Sequence, residues 1–379
     1  MPRGSSDGRV GLFVAVASRA GVYGGPYDVA IRQAELLRGI GVDVTVFAGA
    51  QPGDEPEEPG LVTTTVRHVL RRASFVDVMS WALVRLAWRA VGDADVVHVA
   101  IAREPGPLMV AWFAMIRRRR LSLQPHGMLT SRDSLVYRVI DRLLIAPLAR
   151  RSTFVALTDH EKSELASRRS LRARTILVVP NPALRGATSH APSQTNLGRP
   201  TALFAARLHP RKRVIDFADA ASVAASRGWD ERYVVLGPDG GQLNDLVAQA
   251  EMLDNLEYHG STDSEGVMDY IRAASVFVLP SRNEPWGVAM VSALCCGVPV
   301  VVTRSAALAP LIEESRAGVV VEDSRPAEIA DAVHALRDEA THAAASVAAA
   351  ALASRLFAED VVRRELLHAL GMEDARSTL

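Results

Sequence analysis

Residues 278–302, VLPSRNEPWGVAMVSALCCGVPVVV, constrain this chain more than any other stretch. Val276–Leu279 reads as an apolar strand that ends in a polar loop, Pro280–Pro285. Gly287 then opens a short apolar helix, and Gly297-Val298-Pro299 leads into a second apolar strand. Such a β-α-β passage points the N-terminus of its helix at the C-terminal edge of a parallel sheet, where open α/β sheets bind ligands. The unpaired N–H groups of a helix start suit a phosphate. Glu284 stands at the lip of that place, and a carboxylate beside an anion site is better matched to neutral hydroxyls, such as those of a sugar. A helix-capping loop in any α/β protein has the same spacing, so the residues alone leave both readings open.

The rest of the chain repeats the same alternation. Strands are expected at Val10–Ala17, Val42–Phe47, Val96–Ile101, Ser122–Gln124, Phe154–Leu157 and Thr175–Val179, with a helix near Val29–Ile40. The acidic, proline-rich Gln51–Gly60 reads as an exposed loop. In Ser80–Val91 the residues Trp81, Val84, Trp88 and Val91 share one helical face, which is expected to be core. Polar residues 185–199, RGATSHAPSQTNLGR, are the best linker candidate. A second series follows, with strands at Ala202–Ala205, Tyr233–Leu236, Leu256–His259, Val276–Leu279, Val298–Val302 and Val319–Val321. Pro326–Arg337 and alanine-rich Thr341–Leu352 read as helices, and a last helix spans about Phe357–Leu370. Repeated β-α units argue for parallel sheets, and 379 residues suffice for two domains.

Composition narrows the class. No run of 18 apolar residues is present, so no transmembrane helix is expected. Arg3 and Arg9 before GLFVAVAS imitate a signal peptide, but the apolar part is too short and a first strand is the better reading. Cys295 and Cys296 are neighbours in an apolar helix and read as small buried hydrophobes in a reducing cytoplasm. Residues 1–185 hold 26 Lys and Arg against 17 Asp and Glu, and the remainder reverses that balance. The first half is therefore expected to meet something anionic, a membrane surface or a charged acceptor, with no call for nucleic acid. Arg117–Arg120 is its densest part and reads equally as a solvated helix C-terminus.

Three further groups carry chemistry. Arg207 ends the second domain's first strand, and Lys212 starts the next helix. Fixed cations there would stabilise a departing diphosphate, although a surface basic patch with Arg211 and Arg213 would look the same. The loop Gly21-Val-Tyr-Gly24-Gly25-Pro-Tyr follows strand one and offers either a phosphate nest or a plain strand–helix turn. It is not GxGxxG, and no acid ends strand two, which disfavours a nicotinamide enzyme. Ser122-Leu-Gln-Pro-His126-Gly127 places a histidine at a strand end. Asp93-Ala-Asp95 mimics a metal motif but runs into the strand at Asp95-Val-Val-His98, so no metal is expected there.

Pro280, Ser281, Glu284, Gly287, Gly297 and Pro299 resemble the donor-site motif of family 4 retaining glycosyltransferases, and Arg207-Leu-x-x-x-Lys212 resembles that family's basic motif. The resemblance spans almost the whole chain. It implies a GT-B fold, two Rossmann-like α/β domains with parallel sheets facing across a cleft. Residues 1–185 would be the acceptor-side domain, 186–199 a linker, 200–355 the nucleotide-sugar domain, and 356–379 a helix crossing back to the first domain. It implies a hexosyltransferase-like, retaining enzyme that needs no metal or other cofactor beyond its nucleotide-sugar donor. His126, Arg207, Lys212 and Glu284 would be catalytic. Gly24, Gly25, Gly260, Ser281, Trp286, Gly287, Val288 and Ser292 would line the donor, and the base would lie near Tyr258-His259-Gly260, with Asp239 and Gly240-Gly241 close by. The acceptor would carry a hydroxyl on a polysaccharide, glycolipid or natural product, and the enzyme would be cytoplasmic or peripheral at the inner membrane face.

The match also departs from the family. Ser292 stands where a second glutamate would hold the ribose, Asn181-Pro-Ala-Leu replaces Asn-Gly-x-Asp, and Ala306–Pro310 lacks Gly-Gly-x-Pro-Glu. These departures keep a second expectation alive, a nucleotide-sugar-binding scaffold with weak or no transfer.

Overall fold

The computed structural model describes residues 8–18, 25–68, 78–129, 135–168, 171, 173–187 and 199–372. Its contacts divide the chain into two units: Met1–Asn181 with Glu359–Leu379, and Pro182–Ala358. The division at Asn181 falls ahead of the linker expected at 186–199, of which 188–198 lie outside the described residues.

In the first unit, β1 (Val10–Ala17) is followed by α1 (Pro26–Arg38), β2 (Val44–Ala50) and β3 (Leu61–Thr65). A short antiparallel pair, β4 (Arg67–His68) and β5 (Val78–Met79), precedes α2 (Trp81–Asp93), β6 (Val96–Ala100), α3 (Pro105–Ile116) and β7 (Arg120–Gln124). Next come α4 (Leu135–Ile140), a π-helical turn (Asp141–Ile145), α5 (Ala146–Ala149), β8 (Thr153–Ala156), α6 (Asp159–Ser167) and β9 (Thr175–Val178). The seven-stranded sheet has the order β3-β2-β1-β6-β7-β8-β9, every pair parallel. Alternation along β1 explains the two cores. Leu12 and Val14 pack with α1 and Phe13 with residues of α2 and α3, and a bulge between Val14 and Val16 shifts the phase so that Val16 joins the Phe13 side. Sequence patterning had no short-range signal for β3, which is half exposed at the sheet edge, nor for β4 and β5.

One expected core face is corrected. Ser80 caps α2 by accepting from the Leu83 N–H, and the buried residues are Leu83, Ala87 and Val91. Trp81 is 78% and Trp88 40% exposed. The i, i+4, i+8 series of smaller residues lies flat on the sheet, and the tryptophans flank it. Trp88 instead meets the Phe113 edge at 5.1 Å and lies 3.9 Å below the Arg117 guanidinium.

The second unit runs β10 (Thr201–Ala205), α7 (Val214–Ser226), β11 (Arg232–Leu236), α8 (Leu243–Ala250), β12 (Leu256–Tyr258) and α9 (Ser264–Ala273). It continues with β13 (Val276–Leu279), α10 (Val288–Cys295), β14 (Val300–Thr303), α11 (Ala309–Ser315), β15 (Gly318–Val321), α12 (Pro326–Ala335) and α13 (Glu339–Leu356). Its six parallel strands are ordered β12-β11-β10-β13-β14-β15. That order reverses direction between β10 and β13, so the crevice of this sheet opens beyond the C-terminal ends of those two strands. The last helix, α14 (Glu359–Leu370), packs on α1, β7 and β8 of the first unit, and Arg32 pairs with Glu359 at 2.6 Å.

Candidate functional site

The two loops at the switch point carry the two sequence motifs. After β10, the segment Ala206–Arg213 is bonded to the loop after β11: Leu208 N–H donates to the Pro238 carbonyl at 2.9 Å, and Gln242 N–H to the Leu208 carbonyl at 3.2 Å. Gly237 permits this approach, since a Cβ at its φ of +142° would lie 1.9 Å from the Ala206 carbonyl oxygen. A Cβ at Gly240 would sit 2.9 Å from Arg207 Cγ, so that glycine lets the loop back lie directly against the arginine stem. Asp239, named above as donor lining, caps its own turn by accepting from the Gly241 and Leu243 amides.

Lys212 ends a 3-10 turn, Pro210–Lys212, one step before α7 rather than starting that helix. His209 starts the turn by accepting from the Arg211 N–H, and Arg213 closes it in the left-handed conformation while gripping Asp216 at 2.5 and 2.8 Å. Arg282 N–H donates to the Arg211 carbonyl at 2.8 Å and ties this turn to the loop after β13. Lys212 Nζ then lies 2.5 Å from Glu284 Oε2, a pairing across 72 residues of chain.

The electrostatics follow from burial. Glu284 is only 4% exposed. Burial pushes its carboxyl up, but the Lys212 ammonium and the Arg211 charge outweigh that and hold it below the ordinary range. Arg207 is half-buried, and burial together with Arg211 lowers its pKa from 12.5, which leaves it charged. Burial and the surrounding Arg207, Arg211 and Lys212 lower the His209 pKa, so it stays neutral. Lys212 and Arg211 both act on the Glu284 carboxylate, and Arg207, Arg211 and Lys212 all act on His209, so cations outnumber the carboxylate along this loop.

The loop Pro280–Gly287 is held from below. Thr303 Oγ1 donates to the Ser281 carbonyl at 2.5 Å, Asn283 N–H to Ser305 Oγ at 3.0 Å, and Ala307 N–H to the Glu284 carbonyl at 2.8 Å. Gly287, at φ +78°, opens α10 without a side-chain cap, so the first N–H groups from Val288 onward have no intrahelical partner. Gly260 lies at the end of β12, and its carbonyl accepts from the Gly237 N–H at 2.8 Å. Arg207, Lys212, Glu284, Ser281, Gly287, Val288 and Gly260 thus belong to loops bonded to one another or to the same sheet edge.

Two expected donor residues are turned inward. Trp286 is buried, its ring edge-on to Phe357 at 5.4 Å, and its Nε1 has no hydrogen-bond partner among the described residues. Ser292 is fully buried on α10, where its hydroxyl donates to the Val288 carbonyl at 2.8 Å and accepts from the Leu184 N–H at 2.9 Å. Serine is short enough to be consumed by the backbone, where a glutamate would have to reach out.

In the first unit His126 follows β7 at φ +50°, in a turn clamped by the Glu161 carboxylate, which accepts from the Gly127 and Leu157 amides at 2.8 and 2.7 Å. Burial, and secondarily His98, push the His126 pKa down to about 3, so the ring is neutral at physiological pH. A buried polar chain lies behind it. Ser122 and Gln124 hold the two His98 nitrogens at 2.9 and 3.0 Å, Gln124 donates to Asn181, and Asn181 meets His126 Nδ1 at 3.5 Å. The strand signal around His98 gave no hint of this chain, which forms only when β6 and β7 pair. Gly24 lies outside the described residues. Gly25 is the exposed N-cap of α1 with φ −49°, a conformation open to any residue. Among the described residues, no group of three or more His, Cys, Asp or Glu is arranged to hold a metal, and Asp95 accepts from the Arg9 N–H.

Comparison with known proteins places these features. Residues 23–183 match the model for glycosyltransferase family 4, and residues 187–351 match that for glycosyl transferases group 1. A D-inositol 3-phosphate glycosyltransferase of Arthrobacter sp. (strain FB24) is 32% identical over 157 residues, 39% of this chain and 37% of that protein. Another, from Thermobifida fusca, is 27% identical over 359 residues, 82% and 79% of the two chains. Several of the curated relatives are matched over only about a third to a half of their own length. In fold the chain resembles Anabaena Alr3699/HepE solved with UDP and glucose, with a TM-score of 0.73 and 16% identity over 96% of this chain and 99% of that one.

Proposed function

We propose that this chain, which belongs to the family 4, group 1 glycosyltransferases and has their GT-B fold, moves a sugar from a nucleoside-diphosphate donor to an acceptor hydroxyl with retention and without a metal. One observation carries the reading: the loop Ala206–Arg213, which carries Arg207, is tied through Arg211 and the Lys212–Glu284 pair to the loop that leads into the uncapped start of α10, at the switch point of the second sheet. Cations and free helix N–H groups match a diphosphate, and a carboxylate among them matches sugar hydroxyls. The UDP and glucose bound in the HepE structure favour a uridine donor by analogy.

In this scheme the donor diphosphate draws Lys212 toward itself and leaves Glu284 to accept from the sugar. The bond from the anomeric carbon to the phosphate oxygen breaks as the acceptor oxygen bonds to the same face of that carbon. The acceptor proton passes to the departing phosphate, whose charge Arg207, Lys212 and the α10 start stabilise. His126, neutral and with one ring nitrogen toward Asn181, serves as a hydrogen-bonding group for a sugar or acceptor hydroxyl and not as a proton source. The acceptor is an anionic or membrane-associated molecule, and the enzyme is peripheral to the membrane.

The test is calorimetric titration with UDP, GDP, dTDP, ADP and NAD, followed by transfer assays with and without EDTA. Arg207→Ala should weaken nucleoside diphosphate binding about ten- to a hundredfold, the share of one charge-assisted contact of roughly 1.5–3 kcal/mol. NAD binding with indifference to Arg207→Ala, or transfer abolished by EDTA, would refute it. The internal use of Ser292 favours a second reading, a scaffold that binds the donor and transfers weakly or not at all. Nucleotide binding without hydrolysis or transfer of any nucleotide sugar would select it.

A further inference from the structure

The first unit exposes an apolar face that nothing in the sugar-transfer scheme uses. Leu135, Val136, Val139 and Leu143 are 54–71% exposed, with Leu144 beside them at 40%. They share the outer side of the continuous segment formed by α4, the π-helical turn and α5, while Asp141, Ile145 and Leu148 on its opposite side are buried. Isolated exposed hydrophobes are ordinary; five on one face of a single segment are not. The face has no acidic counterweight on its own segment, because the Asp141 carboxylate is turned in and held by Arg103 at 2.8 Å through two bonds. Arg138 and Arg142 flank the stripe and are exposed.

The surroundings share this character. Trp112 Nε1 donates to the Leu144 carbonyl at 3.2 Å and so joins the segment to α3, whose end exposes Ile116. Just beyond, Arg118, Arg119 and Arg151 line an open hollow of about 300 Å³ with Met115 and Leu121. From Trp81 to Arg151 the chain holds twelve arginines against five acidic residues, which accounts for most of the positive excess of the first half.

We propose that the outer face of the α4–α5 segment seats the first unit on an anionic lipid surface, with Leu135, Val139 and Leu143 entering the headgroup region and the arginines meeting lipid phosphates. Apolar side chains flanked by arginine, on a helix lying against the body of the protein, are the pattern of an interfacial rather than a spanning element. No helix among the described residues is long and apolar enough to cross a membrane. A protein partner would need complementary acidic groups held in one arrangement, whereas a fluid anionic surface satisfies arginines spread along two helices without fixed geometry. The inference rests on the transferase reading only for its consequence, that the acceptor hydroxyl is met at that surface.

The experiment is co-sedimentation of the full chain with vesicles of phosphatidylcholine alone and with about 30% phosphatidylglycerol, in low salt and in about 0.5 M NaCl. No donor or acceptor is present, so failure here leaves nucleotide binding untouched, and failure of nucleotide binding leaves this result standing. Binding should require phosphatidylglycerol and weaken in salt. The triple substitution Leu135→Ser, Val139→Ser, Leu143→Ser should reduce it at least about tenfold, since each change removes buried methylenes. Arg138→Glu with Arg142→Glu should remove the preference for anionic vesicles. All five positions are on the surface, and an unchanged melting temperature and nucleotide response will certify each variant. The proposal is overturned if the wild-type chain stays in the supernatant with both vesicle types, if the triple substitution leaves binding unchanged, or if light scattering finds a dimer that the substitutions disperse, which would give this face to a second copy.

Discussion

Lys212→Met tests whether the Lys212–Glu284 pair is the buried, coupled unit that its geometry implies. The lysine side chain is 18% exposed and the glutamate 4%, with 2.5 Å between them. Removing one partner of a fully buried pair costs about 3–5 kcal/mol, because a charge is left without compensation. The residual exposure of Lys212 lets water in, so about 2–3 kcal/mol is the expected loss here. For a unit of this size that corresponds to a fall of roughly 4–12 °C in melting temperature. The pH dependence separates this from ordinary loss of packing. In the wild type the Glu284 pKa is lowered by folding, so its contribution is fully present above the unfolded value of about 4.3 and disappears as pH falls through the folded value. In Lys212→Met burial is opposed only by Arg211 and the Ser281 hydrogen bond, so the carboxyl is raised relative to wild type. That variant should therefore lose least relative to wild type near pH 4–5 and most near pH 8, about 1.4 kcal/mol for each unit by which the pKa is raised. Lys212→Met with Glu284→Gln should recover part of the loss at neutral pH, which gives a coupling energy in a double-mutant cycle. Thermal unfolding by circular dichroism from pH 4 to pH 8 measures all four proteins. If Lys212→Met is destabilised equally across that range, or if the double variant is worse than the sum of the singles, the carboxylate is not held by Lys212 and the account of the crevice fails.

Gly237→Ala should destabilise the second unit by about 3 kcal/mol, read as a lower melting temperature, since its Cβ would overlap the Ala206 carbonyl at 1.9 Å and force the Arg207 loop away. Ser292→Ala should cost about 1–2 kcal/mol by leaving the Leu184 N–H without its acceptor, while changing nucleotide affinity by less than about twofold; a larger loss of affinity would return Ser292 to the donor site. In NMR, the His126 ring should remain neutral as pH is lowered from 8 to 5, with titration near pH 3, and a midpoint near pH 6.5 would refute its burial.

Much of the architecture was legible because it is local. Strand and helix periodicity located every strand of the second unit to within about two residues, as comparison of Val298–Val302 with Val300–Thr303 illustrates. The motif around Glu284 and Gly287 pointed to a β-α-β passage, and the structure has it as β13, α10 and β14. The edge strand β3 was missed because it is half exposed and carries no apolar alternation. The face of α2 was misread because tryptophans satisfy a helical period whether they point to core or to solvent; only the sheet beneath, which accommodates Leu83, Ala87 and Val91, decides between them.

By itself, then, the sequence determined the β-α order of two units, the family, and which residue types stand at the strand ends of the second sheet. Only the tertiary structure decided what those residues do to one another. Lys212 and Glu284 meet across 72 positions, Ser292 spends its hydroxyl on Leu184 across 108, and His98 reaches Gln124 only through the pairing of neighbouring strands. The physical reason is range. Backbone dihedrals and apolar periodicity are set by neighbours within one or two turns of chain, whereas burial, partner choice and the pKa values that follow from them depend on groups that become neighbours only when the sheet is assembled.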